Sequence, residues 1–141
     1  MYILDTNVVS EARRAASGKA DIRVTSWLRG VAVNSLFLSA IVVLELELGV
    51  CRIERRDTVQ GAALRSWLDD QVLKTFADRI LVVDSAVARE CARLHVPDPR
   101  ADRDALIAAT AIVHGMTVVT RNTANFEPTG VALINPWQHR E

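Results

Sequence analysis

The segment that decides the fold reads Met1-Tyr2-Ile3-Leu4-Asp5-Thr6-Asn7, an apolar run that ends in an acid and a polar turn. Short apolar runs bounded by turn residues are typical of buried β-strands. The pattern predicts a strand over residues 2–5, with Asp5 at its carboxyl end. In a sheet of parallel strands, ligand sites form beyond that end.

The rest of the chain alternates between strand and helix patterns, with glycines such as Gly30 and Gly115 as helix stops. This alternation predicts an α/β fold, a three-layer α/β/α sandwich with a central parallel sheet of about five short strands. The chain has a common size for one domain, so we expect a single domain over residues 1–141. The expected strands are residues 2–5, 36–38, 80–83, 117–119 and 131–134; the expected helices are 7–14, 22–29, 41–56, 58–76, 85–94 (capped by Ser85) and one from Asp104 to Gly115.

Composition limits the classes of partner. The 17 basic and 17 acidic residues give a net charge of zero, so no global field draws the protein to nucleic acid or to a membrane. No secretion signal and no apolar stretch long enough to cross a bilayer is present, which predicts a soluble, cytoplasmic protein. The two cysteines, Cys51 and Cys91, lie in apolar helical patterns and are expected to be reduced core residues.

Three acids lie in apolar surroundings, where a carboxylate is costly unless it is hydrogen-bonded, paired or bound to a cation. Asp5 ends the first strand, Glu45 has leucines on both sides, and Asp104 opens a largely apolar helix. If the three meet at one edge of the sheet, they form an oxygen-lined pocket that suits a hard divalent ion.

Each acid also has a simpler interpretation. Asp5 can cap the helix that follows it, and Asp104 can be favoured by the positive end of its own helix, where Asp102 competes for the same position. Glu47 is the expected solvent-facing member of the pair with Glu45, because it lies about 200° further around the helix. Cys91 and His95 are four residues apart on a helix, but two ligands do not make a zinc site.

Four segments in order carry a further signal: Ile3-Leu4-Asp5-Thr6-Asn7, Glu45-Leu46-Glu47-Leu48-Gly49, Asp104-Ala105-Leu106-Ile107-Ala108-Ala109-Thr110-Ala111 and Thr120-Arg121-Asn122. They resemble the PIN-domain ribonucleases, and within them the VapC toxins of bacterial toxin–antitoxin pairs in the FitB-like subgroup. The closing segment, with Asn135-Pro136-Trp137, is also similar to that subgroup.

The resemblance implies a site and a reaction. Asp5, Glu45 and Asp104 fall on the family's acidic metal positions, with Asp5 and Asp104 as direct ligands and Glu45 as a ligand or as the group that orients the attacking water. A fourth acidic position of the family holds Asn122 or Asn125 here, and an amide adds no negative charge, which puts a second metal ion in doubt. The implied reaction is hydrolysis of RNA to a 5′-phosphate and a 3′-hydroxyl with Mg²⁺ or Mn²⁺.

The resemblance also implies partners: an RNA substrate, a cognate antitoxin protein that covers the acidic site, a homodimer, and a toxin–antitoxin hetero-oligomer. Two other classes of function stay open. A different Mg-dependent phosphohydrolase would place a second Asp at position 7, which is Asn. A non-catalytic binding module of similar fold is compatible with the two asparagines near the fourth strand. Supporting residues are expected at Thr6, Thr120 and Asn122, and RNA-backbone contacts at Arg13, Arg14 and Arg121.

Overall fold

The computed structural model describes residues 1–140 and contains a five-stranded, all-parallel sheet with the strand order β3-β2-β1-β4-β5. Helices flank this sheet, so the predicted α/β fold is confirmed. The strands are β1 (Tyr2–Leu4), β2 (Leu36–Ser39), β3 (Ile80–Leu81), β4 (Thr117–Val119) and β5 (Leu133–Ile134).

Eight α-helices connect or extend these strands within residues 1–140, and short 3-10 turns lie at Arg14–Ser17, Val33–Ser35, Glu127–Thr129 and Pro136–Gln138. The helices are α1 (Thr6–Arg13), α2 (Ile22–Arg29), α3 (Ala40–Arg56), α4 (Thr58–Ser66), α5 (Leu73–Thr75), α6 (Ser85–Leu94), α7 (Asp102–His114) and α8 (Thr123–Phe126).

The central strand β1 decides where a site can form. Tyr2 is in register with Leu36 of β2 on one side and with Thr117 of β4 on the other. The chain first builds outward through β2 to β3 and then returns to add β4 and β5 on the opposite side of β1. β1 and β4 are therefore adjacent strands from which the chain continues in opposite directions, toward β2 from β1 and toward β5 from β4. Open α/β sheets form a ligand crevice at the carboxyl ends of two such strands.

The core beneath this crevice is apolar and closely packed. Ile3, Leu38 and Val118 of three adjacent strands are fully buried, as is Ile107 of α7. Burial of each such side chain stabilises the folded state by roughly 1.5–3 kcal/mol. The sheet is thus a rigid base for the polar residues that follow β1 and β4.

Several predicted boundaries are wrong. The first strand ends at Leu4, and Asp5 is the N-cap of α1. β3 is shorter than the predicted strand 80–83, because it pairs only with β2 at the edge of the sheet and leaves Val82 and Val83 exposed. Asp84 caps α6 in place of Ser85, since its carboxylate is the side chain that accepts a hydrogen bond from the Val87 N–H.

The predicted helix 58–76 is divided. α4 ends at Ser66, a π-helical segment spans Trp67–Val72, and the short α5 follows. The prediction that both cysteines lie in the core is wrong for Cys51, which is exposed, and right for Cys91, which is buried. No helix within residues 1–140 has both the length and the apolar character needed to cross a membrane.

Candidate active site

Asp5 lies at the end of β1 and is almost completely buried, with 5% of its surface exposed. Its backbone N–H donates to the Val119 carbonyl at 2.9 Å, which fixes the residue beside β4. The Thr120 hydroxyl donates to Oδ2 at 2.7 Å, and the Thr6 N–H donates to Oδ1 at 2.8 Å. Burial raises the pKa of the Asp5 carboxyl, and these hydrogen bonds oppose that rise by favouring the ionised form.

Glu45 reaches the same region from α3. That helix begins directly after β2, where the Ser39 hydroxyl accepts a hydrogen bond from the Ile41 N–H at 2.9 Å. One oxygen of Glu45, Oε1, accepts a hydrogen bond from the Thr6 hydroxyl at 2.9 Å. The other, Oε2, lies 3.8 Å from Nη1 of Arg103.

Glu47, two residues further along α3, turns to a different partner. Its Oε2 lies 2.6 Å from Nη2 of Arg65 on α4. The Arg65 guanidinium lowers the pKa of the Glu47 carboxyl, as expected for an ionised group in an ion pair. Of the two acids, therefore, Glu45 is the one directed toward the crevice.

Asp104 lies in the first turn of α7, which packs against α3. Its carboxyl is half-buried, and burial raises its pKa first. The negative charges of Asp5 and then Glu45 raise that pKa further, so Asp104 lies within electrostatic reach of both other carboxylates. No group within residues 1–140 donates a hydrogen bond to the Asp104 side chain, in contrast to Asp5 and Glu45.

One cavity of about 460 Å³ gathers these groups at the carboxyl edge of the sheet. Asp5, Glu45, Asp104 and Asn122 all line it, as do the arginines Arg14 and Arg121. The predicted site residues thus come together, although they originate from the ends of two strands and from two helices.

Two of the predicted residues lie elsewhere. Asn125 is exposed and is not part of the cavity wall, so Asn122 is the one of the two predicted asparagines that lines the cavity. Arg13 points to a separate apolar cavity of about 340 Å³, where its guanidinium lies 5.8 Å from the Trp67 ring centroid. Arg13 does not line the acidic cavity, so its position gives no support to the predicted RNA contact.

Sequence reasoning missed the role of Asn7. Its side-chain N–H donates to Asp5 at 3.3 Å and to Thr120 at 3.4 Å, and its Oδ1 accepts a hydrogen bond from the Arg121 N–H at 3.2 Å. Asn7 therefore ties the turn after β1 to the turn after β4. The polar turn Asp-Thr-Asn directly after a buried strand was the available signal.

Glu11 and Trp137 are further residues of the cavity wall that sequence reasoning did not place there. Glu11 is buried and accepts hydrogen bonds from Arg14 at 3.4 Å and from the Asp21 N–H at 3.2 Å. Trp137 is buried beneath Arg121, whose guanidinium carbon lies 5.2 Å from the ring centroid. Trp137 thus holds a cation at the mouth of the acidic cavity.

The carboxylates share a cavity without forming a finished coordination sphere. Within residues 1–140, no three or more His, Cys, Asp or Glu side chains are gathered as a metal-binding group. Asp5 is hydrogen-bonded to Thr120, and Glu45 is hydrogen-bonded to Thr6 and forms an ion pair with Arg103. The donor chemistry itself, carboxylate oxygens without nitrogen or sulfur, fits a hard ion such as Mg²⁺.

Comparison with known proteins adds the family. The model of the PIN domain matches residues 2–130. This chain belongs to the PIN-domain family. The extent of a single domain over residues 1–141 stays a prediction.

Curated relatives of this PIN-domain protein match nearly the whole chain. The toxin FitB of Neisseria gonorrhoeae is 39% identical over 143 residues, which cover 97% of this chain and 99% of FitB. The VapC ribonuclease Y4jK of Sinorhizobium fredii is 36% identical over 146 residues, with coverage of 98% and 99%.

A solved structure gives the same result: the crystal structure of FitAcB from Neisseria gonorrhoeae contains a chain with a TM-score of 0.89 and 38% identity, with coverage of 98% of this chain and 99% of that one. The predicted resemblance to VapC toxins of the FitB-like subgroup is thereby confirmed. The individual roles of Asp5, Glu45, Asp104 and Asn122 stay predictions.

Proposed function

We propose that this PIN-domain protein is the toxin of a toxin–antitoxin pair and hydrolyses RNA phosphodiester bonds with a divalent metal ion, Mg²⁺ or Mn²⁺. The observation that carries the proposal is the meeting of Asp5, Glu45 and Asp104 in one cavity. The family and the names of the curated relatives, a VapC ribonuclease and the toxin FitB, support the same class of activity.

The site favours a cation on electrostatic grounds. Three carboxylates in one cavity repel one another; the pKa of Asp104 is raised first by burial and then by the negative charges of Asp5 and Glu45. Asp5 and Asp104 would hold the ion directly, and Glu45 would either ligate it or orient the attacking water. When bound, such an ion supplies positive charge at the scissile phosphate and Lewis acidity for hydrolysis.

The neutral residues of the site position the acids. Thr120 and Thr6 hold Asp5 and Glu45 through hydroxyl donors, and Asn7 links the two turns. Asn122 contributes an amide where an acid would add charge, so the proposal is for one metal ion. Outer hydrogen bonds of this kind fix the direction of a ligating carboxylate.

The basic residues of the cavity favour a polyanionic substrate. Arg121 is exposed, is held over Trp137, and has its backbone fixed by Asn7. Arg14 lines the same cavity and pairs with Glu11. Because the net charge of the chain is zero, attraction of RNA has to come from such a local group of arginines.

We further propose a cognate antitoxin protein as the regulating partner, in a hetero-oligomer built on a toxin homodimer in the cytoplasm. A related structure is that of FitAB bound to an IR36 DNA fragment, in which a chain 36% identical to this one has a TM-score of 0.88. An antitoxin that covers the acidic cavity would block both the metal site and the RNA.

The decisive experiment is cleavage of single-stranded RNA by the purified protein in Mg²⁺, in Mn²⁺ and in EDTA. Cleavage that needs the metal, leaves 5′-phosphate ends and disappears in Asp5→Asn and Asp104→Asn supports the proposal. Full cleavage in EDTA or by either variant contradicts it. Hydrolysis of a small phosphate ester without RNA cleavage would indicate a different phosphohydrolase, and RNA binding without cleavage a non-catalytic module.

A further inference from the structure

We infer that Arg103 is a built-in competitor of the metal ion for Glu45 and thereby sets how tightly the acidic site holds its cation. The inference rests on the proposed function, because it takes Glu45 as part of the metal site. It starts from one contact, the 3.8 Å approach of Arg103 Nη1 to Glu45 Oε2. The contact joins α7 to α3 beside the acidic cavity.

Both oxygens of Glu45 are engaged by neighbours of different kinds. The Thr6 hydroxyl on Oε1 is neutral, so it can keep its hydrogen bond while the carboxylate turns its other oxygen to a cation. The Arg103 guanidinium at Oε2 carries a permanent positive charge. It and a divalent ion repel each other at the same oxygen, so the competition is with Arg103.

The geometry allows Arg103 to leave Glu45. Its side chain is 50% exposed and that of Glu45 is 26% exposed, so solvent screens the pair and the contact is weak. Arg103 directly precedes Asp104 and, once displaced, stays close to the metal site on the same helical turn. The exchange therefore needs a change of side-chain rotamer and no change of fold.

Arg103 differs in this respect from the two arginines of the cavity wall. Arg14 pairs with Glu11, and Arg121 lies over Trp137. Within residues 1–140, Arg103 is the one basic residue that forms an ion pair with any of the three site acids. A general effect of positive charge near the site would come from Arg121 as well, which provides a matched control.

Calorimetric titration of the full chain with Mn²⁺ alone, without RNA, tests the inference. We expect Arg103→Gln to lower the dissociation constant for Mn²⁺ by about two- to fivefold, the effect of removing one weak ion pair. Arg103→Lys keeps the positive charge, so its dissociation constant for Mn²⁺ should be closer to that of the wild type. Arg121→Gln removes a charge from the wall of the acidic cavity without freeing a carboxylate, and should change the Mn²⁺ affinity less.

A second cycle assigns the effect to Glu45. In a Glu45→Gln background, Arg103→Gln should tighten Mn²⁺ binding no more than Arg121→Gln does; if that background binds too weakly to measure, the first comparison decides. Unchanged affinity in Arg103→Gln, or equal tightening in both backgrounds, would overturn the inference. If the wild-type protein cleaves RNA with metal but Arg103→Gln leaves the Mn²⁺ affinity unchanged, this inference alone is overturned. Absence of Mn²⁺ binding overturns the proposed function with it.

Discussion

The hydroxyl of Thr120 donates a 2.7 Å hydrogen bond to Oδ2 of Asp5 and joins the ends of the adjacent strands β1 and β4. Both residues are buried. Burial raises the pKa of the Asp5 carboxyl, and among the hydrogen bonds that oppose this rise the one from Thr120 has the largest effect. The same hydroxyl oxygen accepts a hydrogen bond from the Asn122 N–H at 3.0 Å, so it also shapes the turn after β4.

Thr120→Val should therefore weaken the site and the fold together. Valine keeps the shape and removes the donor, so the pKa of Asp5 rises further and a buried carboxylate loses its partner. We expect a loss of about 1–3 kcal/mol in the free energy of unfolding at neutral pH, measured with urea. Mn²⁺ affinity should fall in parallel. Thr120→Ser retains the hydroxyl and should remain close to the wild type; equal behaviour of the two variants would mean that the contact contributes little.

The raised pKa of Asp104 gives a stability that depends on pH. Burial and the charges of Asp5 and Glu45 raise this pKa above 3.8, so the folded state binds a proton more readily than the unfolded chain. Ionisation of Asp104 therefore lowers the free energy of unfolding as pH rises from about 3.8 through the raised pKa of the folded state. In EDTA, Asp104→Asn should have a higher free energy of unfolding than the wild type at pH 7. This difference between the two proteins should become smaller toward pH 4. A gap that is constant with pH would contradict this reading of Asp104.

Glu45 and Glu47 provide a matched pair on one helix. Glu45→Gln should lower kcat for RNA cleavage by at least about 10²-fold, because a charged group is lost at the reacting centre. Glu47→Gln removes an exposed ion pair with Arg65 and should cost less than about 1 kcal/mol of stability with little change in rate. Single-turnover cleavage and urea unfolding of both variants measure this. The reverse ranking of rates would show that the wrong acid is assigned to the site.

Two helical glycines differ in the space around them. A Cβ on Gly61 of α4 would lie 2.5 Å from the Cα of Glu54 on α3, whereas a Cβ on Gly49 of α3 would meet no atom within 4 Å. Gly61→Ala should force the two helices apart and destabilise the protein by about 1–3 kcal/mol. Gly49→Ala should raise stability by up to about 1 kcal/mol, since alanine is the better helix former. Thermal unfolding compares the two, and a neutral Gly61→Ala would refute the close helix contact.

The sequence was sufficient for the fold and for the meeting of the acids. Asp5 follows an unmistakable buried strand, and the alternation of strands and helices places strand ends and helix starts at one edge of the sheet. The pattern of strands and helices alone is thus enough to predict that two side chains at the same edge of the sheet lie close together. Glu45 and Glu47 could be told apart in the same way, because the helical period directs them to different faces.

The remaining features depend on contacts between distant segments. Nothing in the local pattern of Arg103 predicts an approach to Glu45, because that contact depends on how α7 packs against α3. Cys51 has an apolar helical pattern around it and is still exposed, because its neighbours in the fold are polar: its Sγ lies 3.6 Å from Oε2 of Glu47 and 3.9 Å from Nη2 of Arg65 on α4. β3 was predicted too long because Val82 and Val83 have the composition of a strand but no neighbour to pair with.

The strand order has a consequence for biosynthesis. β1 is made first, yet β4, which closes one of its two sides, is made more than a hundred residues later. A nascent chain that has reached only β3 holds Asp5 and Glu45 but lacks Asp104, Thr120 and Arg121. Until then one edge of β1 is open to unwanted pairing. The acidic cavity is therefore complete only late in translation.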